Sequence, residues 1–597
     1  MMIFEDILKD VGGFGPYQKF LIVIFLIPSS IVIPWFSMSS IFLASIPDHW
    51  CYVPAVSTSN LSTETQRQLI SPPHDHHCSM YDIDYASLME SKNYSIDPNW
   101  PIKECANGWQ FDKTNYDETS VSRWNMVCKD DHYSSLVLSL MFVGITVGTP
   151  LFGLMSDRWG RKPTFLLTAF VIAVTDIGST LSPYFELYLV LRTLNGLCIT
   201  TIYTLAFILL LELVSPDIRA RVNGLATTAW TIGMCTLPLI AWLTRNWLYL
   251  SITTTAATFC LLLYWRVLPE SPSWLISQGR YEEAHTILSK ISKSNSKTVH
   301  QTDHLMEAIK KLGDQLQNQQ SAEEKASPLD FFKYPKLRMR FLLITICWIS
   351  GCLPYYGHQV NARNLAGNEF LNFLYLSAVE IPATLFAWAM MESMGRKWCS
   401  IVSFSLATFA CILPMVFPAE MAMIGVIAAL LAKAGTSAAY MTVYIQAPEL
   451  FPTSLRAVGM GMCSTIGSGS TLLAPYIVYL AKFGANIPFI CFAVIALCGV
   501  IAALFLPETL DQKLPQTVTD VEEFVSKRPF FACGRFEDAE DPEPYPPFQP
   551  IIGARSSIMR KRWIDPIEIR CVTKRNSMDS VMGVFVLPAP EVKTLHV

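Results

Sequence analysis

The sequence has 597 residues, of which 51% are hydrophobic and 16% are charged, and its mean hydropathy is +0.33. Soluble domains carry about 25% charged residues, so this composition argues against a soluble protein and favours one that lies in a bilayer. The net charge of −4 is too small to indicate a nucleic-acid partner.

The chain begins with a short segment, residues 1–20, that carries three acidic residues and lacks a basic leading region. We therefore predict no cleavable signal peptide and expect the first apolar block to remain in the mature protein. The apolar blocks that follow are long enough to cross the hydrocarbon core and too long for barrel strands. The twelve predicted transmembrane helices lie at approximately 21–45, 135–155, 163–182, 187–211, 224–243, 246–264, 341–359, 370–391, 399–417, 421–446, 457–480 and 486–506.

A large loop, 47–133, separates the first two spans. It contains two glycosylation sequons, at Asn60 and Asn93, and four cysteines. Sequons and cysteines together indicate an oxidising exterior, where disulfides persist. Four cysteines allow three disulfide pairings, and the spacing does not choose among them. The cysteines are Cys51, Cys78, Cys105 and Cys128.

A second long loop, 265–340, is rich in lysine and arginine, and the short loop after the second span contributes Arg158, Arg161 and Lys162. Basic loops of membrane proteins face the cytoplasm. We therefore expect the amino-terminal segment, the central loop and the 507–597 tail to be cytoplasmic.

An internal repeat divides the chain into two six-helix halves, 21–264 and 341–506. Three motifs of the first half recur in the second at nearly the same separation. The pairs are Gly160-Arg161-Lys162 with Gly395-Arg396-Lys397, Glu212 and Arg219 with Glu449 and Arg456, and Leu268-Pro269-Glu270 with Leu506-Pro507-Glu508.

The segment 153–162, Gly-Leu-Met-Ser-Asp-Arg-Trp-Gly-Arg-Lys, resembles the loop signature of the major facilitator superfamily. The resemblance implies an all-α membrane fold of twelve helices in two bundles. It also implies an inner-face gate, in which charge-assisted bonds hold the bundles in one state and break in another. The alternative is that these basic residues only set the orientation in the membrane. The gate residues would be Asp157, Arg158, Arg161, Lys162, Glu212, Arg219, Arg396, Lys397, Glu449 and Arg456, with Glu212 and Arg219, and Glu449 and Arg456, as partners.

Within that superfamily, residues 1–515 resemble solute carrier family 22, the organic cation, carnitine and organic anion transporters. The cysteine-bearing first loop is typical of this family and is absent from sugar porters. The family often has six cysteines in this loop, whereas this chain has four, so the family's disulfide pattern cannot be carried over whole. Similar motifs are Phe14-Gly15-Pro16-Tyr17-Gln18, Pro47-Asp48-His49, Trp124-Asn125-Met126-Val127-Cys128 and, shared with sugar porters, Pro269-Glu270-Ser271-Pro272-Ser273-Trp274-Leu275.

Span 7 contains Tyr355-Tyr356-Gly357 followed by Asn364-Leu365-Ala366-Gly367, which is similar to the carnitine and ergothioneine branch, whose substrates are zwitterions. In span 11, Ser468 stands where the cation branch has an aspartate and the anion and carnitine branches have an arginine. A neutral serine fits none of these branches, so charge selectivity must come from other residues.

Ionisable groups at membrane depth are costly and usually functional. Glu380 in span 8 matches a cavity glutamate of the family and is a candidate for binding a substrate ammonium; its alternative is a structural salt bridge. Lys433 in span 10 can bind a substrate carboxylate or pair with Glu380, and both readings stay open. Asp176 and Arg192, near the ends of spans 3 and 4, are assigned a structural or interfacial role.

Aromatic rings supply the other half of a cation site, because an ammonium is attracted to a ring face. By resemblance, Tyr203 and Phe207 in span 4 align with substrate-facing aromatics of the cation branch, and they lie one turn apart on one helix face. Tyr355 and Tyr356 add two rings from span 7. For each of them the alternative is ordinary packing.

The resemblance implies a multi-pass plasma-membrane carrier of small organic cations or zwitterions that works by alternating access, with no cofactor or metal. Its partners would be the substrate, the bilayer and a coupling sodium ion or proton. Separately, the apolar-x-apolar chain end Leu595-His596-Val597 is a candidate to dock on a scaffold protein as an added strand; the alternative is a disordered end with no partner. The alternatives are an organic anion carrier that uses Lys433, and a receptor-like relative that no longer transports. We find no enzyme motif of the nucleophile-elbow, phosphate-loop or zinc-helix type.

Overall fold

The computed structural model describes residues 4–523, except 60, 73–76, 92–95, 98–99, 296–301, 323–328, 418–420, 511 and 513. The predicted glycosylation sites Asn60 and Asn93 and the chain end Leu595-His596-Val597 lie outside the described residues.

Six membrane passages form the first half. The first passage is a single run, Pro16–Leu43, in which a π-helical turn, Ile22–Leu26, joins two α-helices. A short helix, α1 (Phe4–Val11), precedes the first passage. The membrane helices of this half are α2 (Pro16–Leu21), α3 (Ile27–Leu43), α8 (His132–Trp159), α9 (Arg161–Thr180), α10 (Phe185–Leu211), α11 (Pro216–Thr244) and α12 (Trp247–Leu262). The gap in the numbering corresponds to short helices of the large loop, which are given below.

The second half repeats the plan, and the central loop lies between the two halves in the sequence. The eighth passage of the chain is interrupted at Val379, and the eleventh at a 3₁₀ turn, Thr471–Leu473. The membrane elements are α17 (Pro335–Val360), α18 (Glu369–Ala378), α19 (Glu380–Ser393), α20 (Arg396–Val416), α21 (Ala422–Leu450), α22 (Arg456–Ser470), α23 (Ala474–Tyr479) and α24 (Ile487–Phe505).

Within the described residues, eleven helices are long and apolar enough to span a bilayer. The remaining predicted span, 457–480, is present as α22 and α23, each too short on its own. The interruption follows from Pro475, which has no N–H to donate to the Thr471 carbonyl. The helix count is therefore consistent with the twelve predicted passages.

The large loop is a small folded unit built on two antiparallel strand pairs. Cys51 is bonded to Cys105, and Cys78 to Cys128, which is one of the three pairings that the sequence allows. Trp50 is buried among the loop's apolar side chains. The elements are β1 (His49–Cys51) paired with β4 (Trp109–Phe111), β2 (Ser79–Tyr81) paired with β3 (Ile102–Glu104), and α4 (Pro54–Ser57), α5 (Thr63–Ile70), α6 (Tyr85–Ser91) and α7 (Ser120–Arg123).

The central loop is largely helical where it is described. The helices α14 and α15 pack against α1, and an amide contact between Asn295 and Gln18 (3.0 Å) ties the loop to the start of the first passage. The elements are α13 (Pro272–Ser277), α14 (Tyr281–Ser294), α15 (Thr302–Ala322) and α16 (Asp330–Lys333), and α25 (Val518–Glu523) follows the last passage.

The two halves contact each other at one end of the bundle. We call the end that carries the strands β1–β4 the loop end, and the end that carries Gly160 and Gly395 the motif end. At the loop end one apolar cluster combines side chains of both halves, including Phe42 and Leu138 with Phe370 and Phe492. At the motif end two separate clusters each draw on one half and its adjoining loop residues. The halves are thus closed together at the loop end.

Candidate functional site

We call the surroundings of Glu380 and Lys433 the central site. Its acidic residue, Glu380, lies at a helix break. Pro382 has no N–H to bond to the Ala378 carbonyl, and α18 ends there. Glu380 is therefore the first residue of α19, where the partial positive charge of a helix N-terminus favours a carboxylate. Broken helices of this kind form the substrate sites of many transporters.

Lys433 extends from the middle of α21 to this carboxylate. Its Nζ lies 2.9 Å from Glu380 Oε1, donates to the Tyr355 carbonyl (3.0 Å), and sits 3.2 Å from the centre of the Tyr355 ring. The side chains of Lys433 and Glu380 are 0% and 6% exposed. Of the two roles considered for Lys433, pairing with Glu380 is the one present in this state.

Aromatic side chains of the second half surround this ion pair. Tyr355 contacts Tyr356 (ring centres 5.0 Å apart) and Tyr440 (5.7 Å). Tyr440 in turn contacts Tyr444, with the two hydroxyls 3.3 Å apart. Tyr440 and Tyr444 were missed by the sequence analysis, although Tyr440 is seven residues from Lys433 and therefore on the same helix face.

The first half contributes rings to the same cluster. Tyr203 contacts Trp230 (4.9 Å), and Phe142 contacts Tyr356 across the boundary between the halves (5.7 Å). Trp230 also lies within hydrogen-bonding reach of the Tyr355 hydroxyl. The site is thus formed by both halves, and Trp230 and Phe142 are further residues that the sequence analysis did not single out.

Two further predicted residues, Phe207 and Ser468, have other surroundings. Phe207 packs against the apolar cluster of the motif end, one turn from Tyr203. Ser468 is half-buried near the end of α22, where its carbonyl accepts a bond from the Thr471 hydroxyl (2.6 Å). Ser464, one turn earlier on the same face, reaches Tyr444. This face of α22 therefore borders the cluster of Tyr355, Tyr356, Tyr440 and Tyr444.

Charged substitutions at Ser468 are expected to bias selectivity, because a charge close to the cluster acts on any charged solute that enters it. We expect Ser468→Asp to raise uptake of cations relative to zwitterions, and Ser468→Arg to lower uptake of permanent cations. Uptake ratios measured at equal surface expression test this, with Ser468→Asn as the neutral control. Identical ratios in the two charged variants would place Ser468 outside the pathway.

At the motif end, Glu270 caps the helix that follows Gly160. Its Oε1 accepts bonds from the backbone N–H of Arg161 (2.9 Å) and Ser271 (2.9 Å). Gly160 has φ +102°, and a Cβ there would lie 2.4 Å from the Glu270 carboxylate. The motif thus needs glycine at this position both for its backbone conformation and for the close approach of Glu270.

The Arg161 guanidinium joins three elements of the first half. It donates to Asp157 Oδ1 (3.0 Å) and to the Ser156 carbonyl (3.0 Å), and it lies 3.6 Å from Glu212 Oε1. The Trp274 indole donates to the Asp157 carbonyl (2.8 Å). The Asp157 side chain is 72% exposed, and Arg158 is also exposed.

The second half repeats the helix cap and the arginine–glutamate pair of this arrangement. Glu508 accepts bonds from the backbone N–H of Arg396 (2.8 Å) and Lys397 (3.1 Å), and the Arg396 side chain bonds Glu449 (3.2 Å). Gly395 has φ +98° and faces the Glu508 carboxylate. Glu270 and Glu508 are recognisable from the sequence as a repeated pair, but neither was predicted to belong to the network.

Two expected gate pairings differ in the structure. Arg219 pairs with Glu5 of α1 (3.3 Å), whereas Glu212 faces Arg161. Likewise Glu449 bonds Arg396, and two buried nitrogens of Arg456 have no hydrogen-bond partner among the described residues. The reason is geometric. The arginine that directly follows each motif glycine lies beside the glutamate at the end of the next long helix and pairs with it, so this glutamate does not pair with the later arginine.

Asp176 and Arg192 form a buried ion pair inside the first half. Their side chains are 3% and 1% exposed, with Arg192 Nη1 2.9 Å from Asp176 Oδ1, and the Thr255 hydroxyl donates to the same carboxylate. The pair joins α9, α10 and α12, which fits the structural role assigned to these two residues.

One group of possible metal ligands occurs in the large loop, formed by His49, Cys78 and Cys128. Both sulfurs belong to the disulfide, so a single imidazole remains as a donor. Burial lowers the pKa of His49 below its ordinary value. A neutral histidine against a disulfide is a packing contact and does not provide a metal site.

Comparison with known proteins identifies the family of this chain. The model of the family described as "Sugar (and other) transporter" matches residues 91–519. The carcinine transporter of Drosophila melanogaster is 31% identical over 90% of this chain and 82% of its own length. The human organic cation/carnitine transporter 2 is 29% identical over 87% of this chain and 94% of its own. The beta-alanine transporter of Drosophila melanogaster is 28% identical over 87% and 89%.

Solved structures agree on the fold. The proton:xylose symporter XylE, a major facilitator protein, superposes with a TM-score of 0.53 at 17% identity, covering 84% of this chain and 98% of its own. The expectation of a transporter with the major facilitator fold, rather than an enzyme, is confirmed. The chain belongs to the sugar (and other) transporter family of the major facilitator superfamily, and within it to the transporters of solute carrier family 22.

Proposed function

We propose that the chain carries small organic cations or zwitterions across the plasma membrane by alternating access, with zwitterions as the preferred substrates. The observation that carries this proposal is the position of Lys433. Its ammonium lies on the Glu380 carboxylate and over the Tyr355 ring, where a substrate ammonium would bind. The protein's own cation therefore occupies the cation subsite when no substrate is present.

A substrate ammonium must displace Lys433 from Glu380. A simple cation leaves the displaced lysine charged, buried and unpaired, which is strongly unfavourable. A zwitterion avoids this cost, since its ammonium binds Glu380 while its carboxylate pairs with Lys433. Both charges of the protein then keep a partner, and the aromatic rings around Tyr355 cover the ammonium.

The named relatives support this substrate class. Carnitine and beta-alanine, for which two relatives are named, each contain an ammonium and a carboxylate group. An organic anion carrier is a weaker reading, because Lys433 is already neutralised by Glu380. A receptor-like relative is separated from a carrier by whether labelled solute accumulates.

We propose that the loop end lies outside the cell, and that the motif end and both chain termini lie in the cytoplasm. Since the halves are closed at the loop end, this conformation would be inward-facing. The orientation is tested by glycosidase treatment of intact cells. The glycan-dependent mobility shift should disappear when both Asn60→Gln and Asn93→Gln are introduced, and an unshifted native protein would contradict it.

Removing the gate carboxylate is expected to slow transport without removing binding. In this inward-facing state the Asp157 side chain is exposed and pairs with Arg161, and we propose that it gains further partners at the motif end in the outward-facing state. We expect Asp157→Asn to lower the maximal uptake rate by about tenfold or more, since a charged hydrogen bond contributes about 1.5–3 kcal/mol. Ligand binding to detergent-solubilised protein should persist, with Asp217→Asn on the same face as the control. Loss of binding together with uptake would make Asp157 a folding residue.

The function itself is tested by uptake of labelled zwitterions, cations and anions in cells with low background transport. We expect zwitterions to be taken up in preference to cations, and anions not to be carried. Absence of uptake for every class would overturn the proposal.

We further propose that transport is coupled to sodium or to a proton, and repeating the assay without sodium and at different external pH identifies the coupling ion. A scaffold partner at Leu595-His596-Val597 is tested by deleting these residues and measuring surface retention.

A further inference from the structure

Residues 113–118 of the large loop are fixed to the first half. The Arg245 guanidinium donates to the carbonyls of Lys113 (2.6 Å) and Thr114 (2.8 Å), and its own carbonyl accepts from the Asp117 N–H (2.7 Å). The Trp247 N–H donates to the Glu118 carbonyl (3.0 Å). This segment is therefore bonded to the turn between α11 and α12 and must move with it.

Within this segment, Tyr116 extends across to the second half. It is 5% exposed, and its ring lies 5.3 Å from the Phe370 ring at the start of α18. Its hydroxyl lies within electrostatic range of Glu369 and Arg363 of the second half. Burial, followed by the neighbouring Glu369, raises the pKa of Tyr116, so the phenol stays neutral beside the carboxylate.

The surrounding contacts also join one half to the other. Glu369 accepts a bond from the Ser45 hydroxyl (2.9 Å), and Arg363 donates to the Ser134 hydroxyl (3.4 Å). Phe42 stacks on Phe370 at 5.6 Å. The contact surface of Tyr116 is thus the seam that must open when the central site becomes accessible from the loop end.

We propose that the large loop is part of the transport machinery, and that its segment 113–118 is an outer gate whose Tyr116 docks on Glu369 and Phe370 of the second half and leaves them when the site opens outward. A single docked ring gives a contact that is strong enough to bias the equilibrium and weak enough to break in every cycle, since loss of one aromatic pair changes an equilibrium only about 2- to 10-fold.

The inference rests on the alternating access of the proposed function but not on the identity of the solute. A native thiol provides the readout, because Cys235 of α11 is within electrostatic range of Glu380 in the central site. A membrane-impermeant thiol reagent added outside intact cells reaches it only when the outer gate opens. Labelling is measured without substrate on the full chain, and Cys235→Ser gives the background from other cysteines.

We expect Tyr116→Ala to raise the outside labelling rate of Cys235 about 2- to 10-fold, the change that loss of one aromatic pair produces. Glu369→Gln should raise it as well. The matched controls are Tyr52→Ala, on an exposed tyrosine of the same loop, and Glu104→Gln, whose partner Lys129 lies within the first half. Equal labelling of Tyr116→Ala and Tyr52→Ala at equal surface expression would overturn the proposal.

If Tyr116→Ala does not reach the surface, a cross-link tests the same contact. Cysteines introduced by Tyr116→Cys and Phe370→Cys, joined by a short bifunctional thiol reagent, should hold the halves together and protect Cys235 from outside labelling. Either cysteine alone, treated with the same reagent, should leave the labelling rate unchanged. Normal labelling in the cross-linked protein would overturn the gate. Because no substrate is used, this failure is distinct from an absence of uptake in the substrate panel.

Discussion

Replacing Lys433 with methionine is expected to lower the ratio of zwitterion to cation uptake by more than about 30-fold. Loss of a buried, hydrogen-bonded charge partner costs about 2–5 kcal/mol, and only the carboxylate-bearing solute loses it. A permanent cation no longer has to displace the lysine from Glu380, so its uptake should be kept or should rise. The measurement is initial uptake of one zwitterion and one cation of similar size, normalised to surface protein.

Three further variants separate binding from folding. Lys433→Arg keeps the charge and should retain zwitterion preference to a greater degree than Lys433→Met. Glu380→Gln should lose both substrates, because both need the carboxylate. The double variant Glu380→Gln with Lys433→Met leaves no unpaired charge at this position, so its surface expression should recover while uptake stays absent. An unchanged substrate ratio in Lys433→Met would remove the lysine from the substrate site.

Gly395→Ala is expected to destabilise the protein by about 3 kcal/mol or more. With φ +98° and ψ 170°, this position is in a backbone region that is essentially restricted to glycine. A Cβ would also lie 2.3 Å from the Glu508 carboxylate, which accepts from the backbone N–H groups of Arg396 and Lys397. Moving that carboxylate leaves these donors unpaired. Thermal unfolding of detergent-solubilised protein should shift down by several degrees, and surface expression should fall.

A matched glycine in the same half provides the control for Gly395→Ala. Gly425 is helical, and a Cβ there meets nothing within 4 Å, so Gly425→Ala should be neutral or slightly stabilising. Gly160→Ala should reproduce the defect of Gly395→Ala, because Gly160 has the same backbone conformation and the same relation to Glu270. Equal unfolding temperatures for Gly395→Ala and Gly425→Ala would contradict the role given to Glu508.

Residues that act locally were predictable from the sequence. The motif glycines and the arginines after them are recognisable because a tight turn between two apolar helices requires those residue types in a fixed order. Glu380 and Lys433 were found because charge is rare at membrane depth. The tyrosines Tyr440 and Tyr444 were overlooked, although their helical spacing from Lys433 places all three on one face.

Partners across helices were less predictable. Arg219 was expected beside Glu212, yet it pairs with Glu5, which lies in a helix before the first passage. The position of Tyr116 against Phe370 was not foreseen either, since it depends on how a disulfide-linked loop is attached to the α11–α12 turn. Such contacts depend on where two elements far apart in the sequence meet, and neither periodicity nor composition contains that information.

The sequence by itself determined the membrane class, the two-half repeat and the family, because apolar length and short motifs are local properties. It also supplied the two charges of the central site. Only the tertiary structure decided that these charges neutralise each other, and that rings from both halves surround them. The reason is that the pairing of Glu380 with Lys433 depends on a helix break at Val379 and on the packing of α19 against α21, which orients two side chains 53 residues apart toward each other.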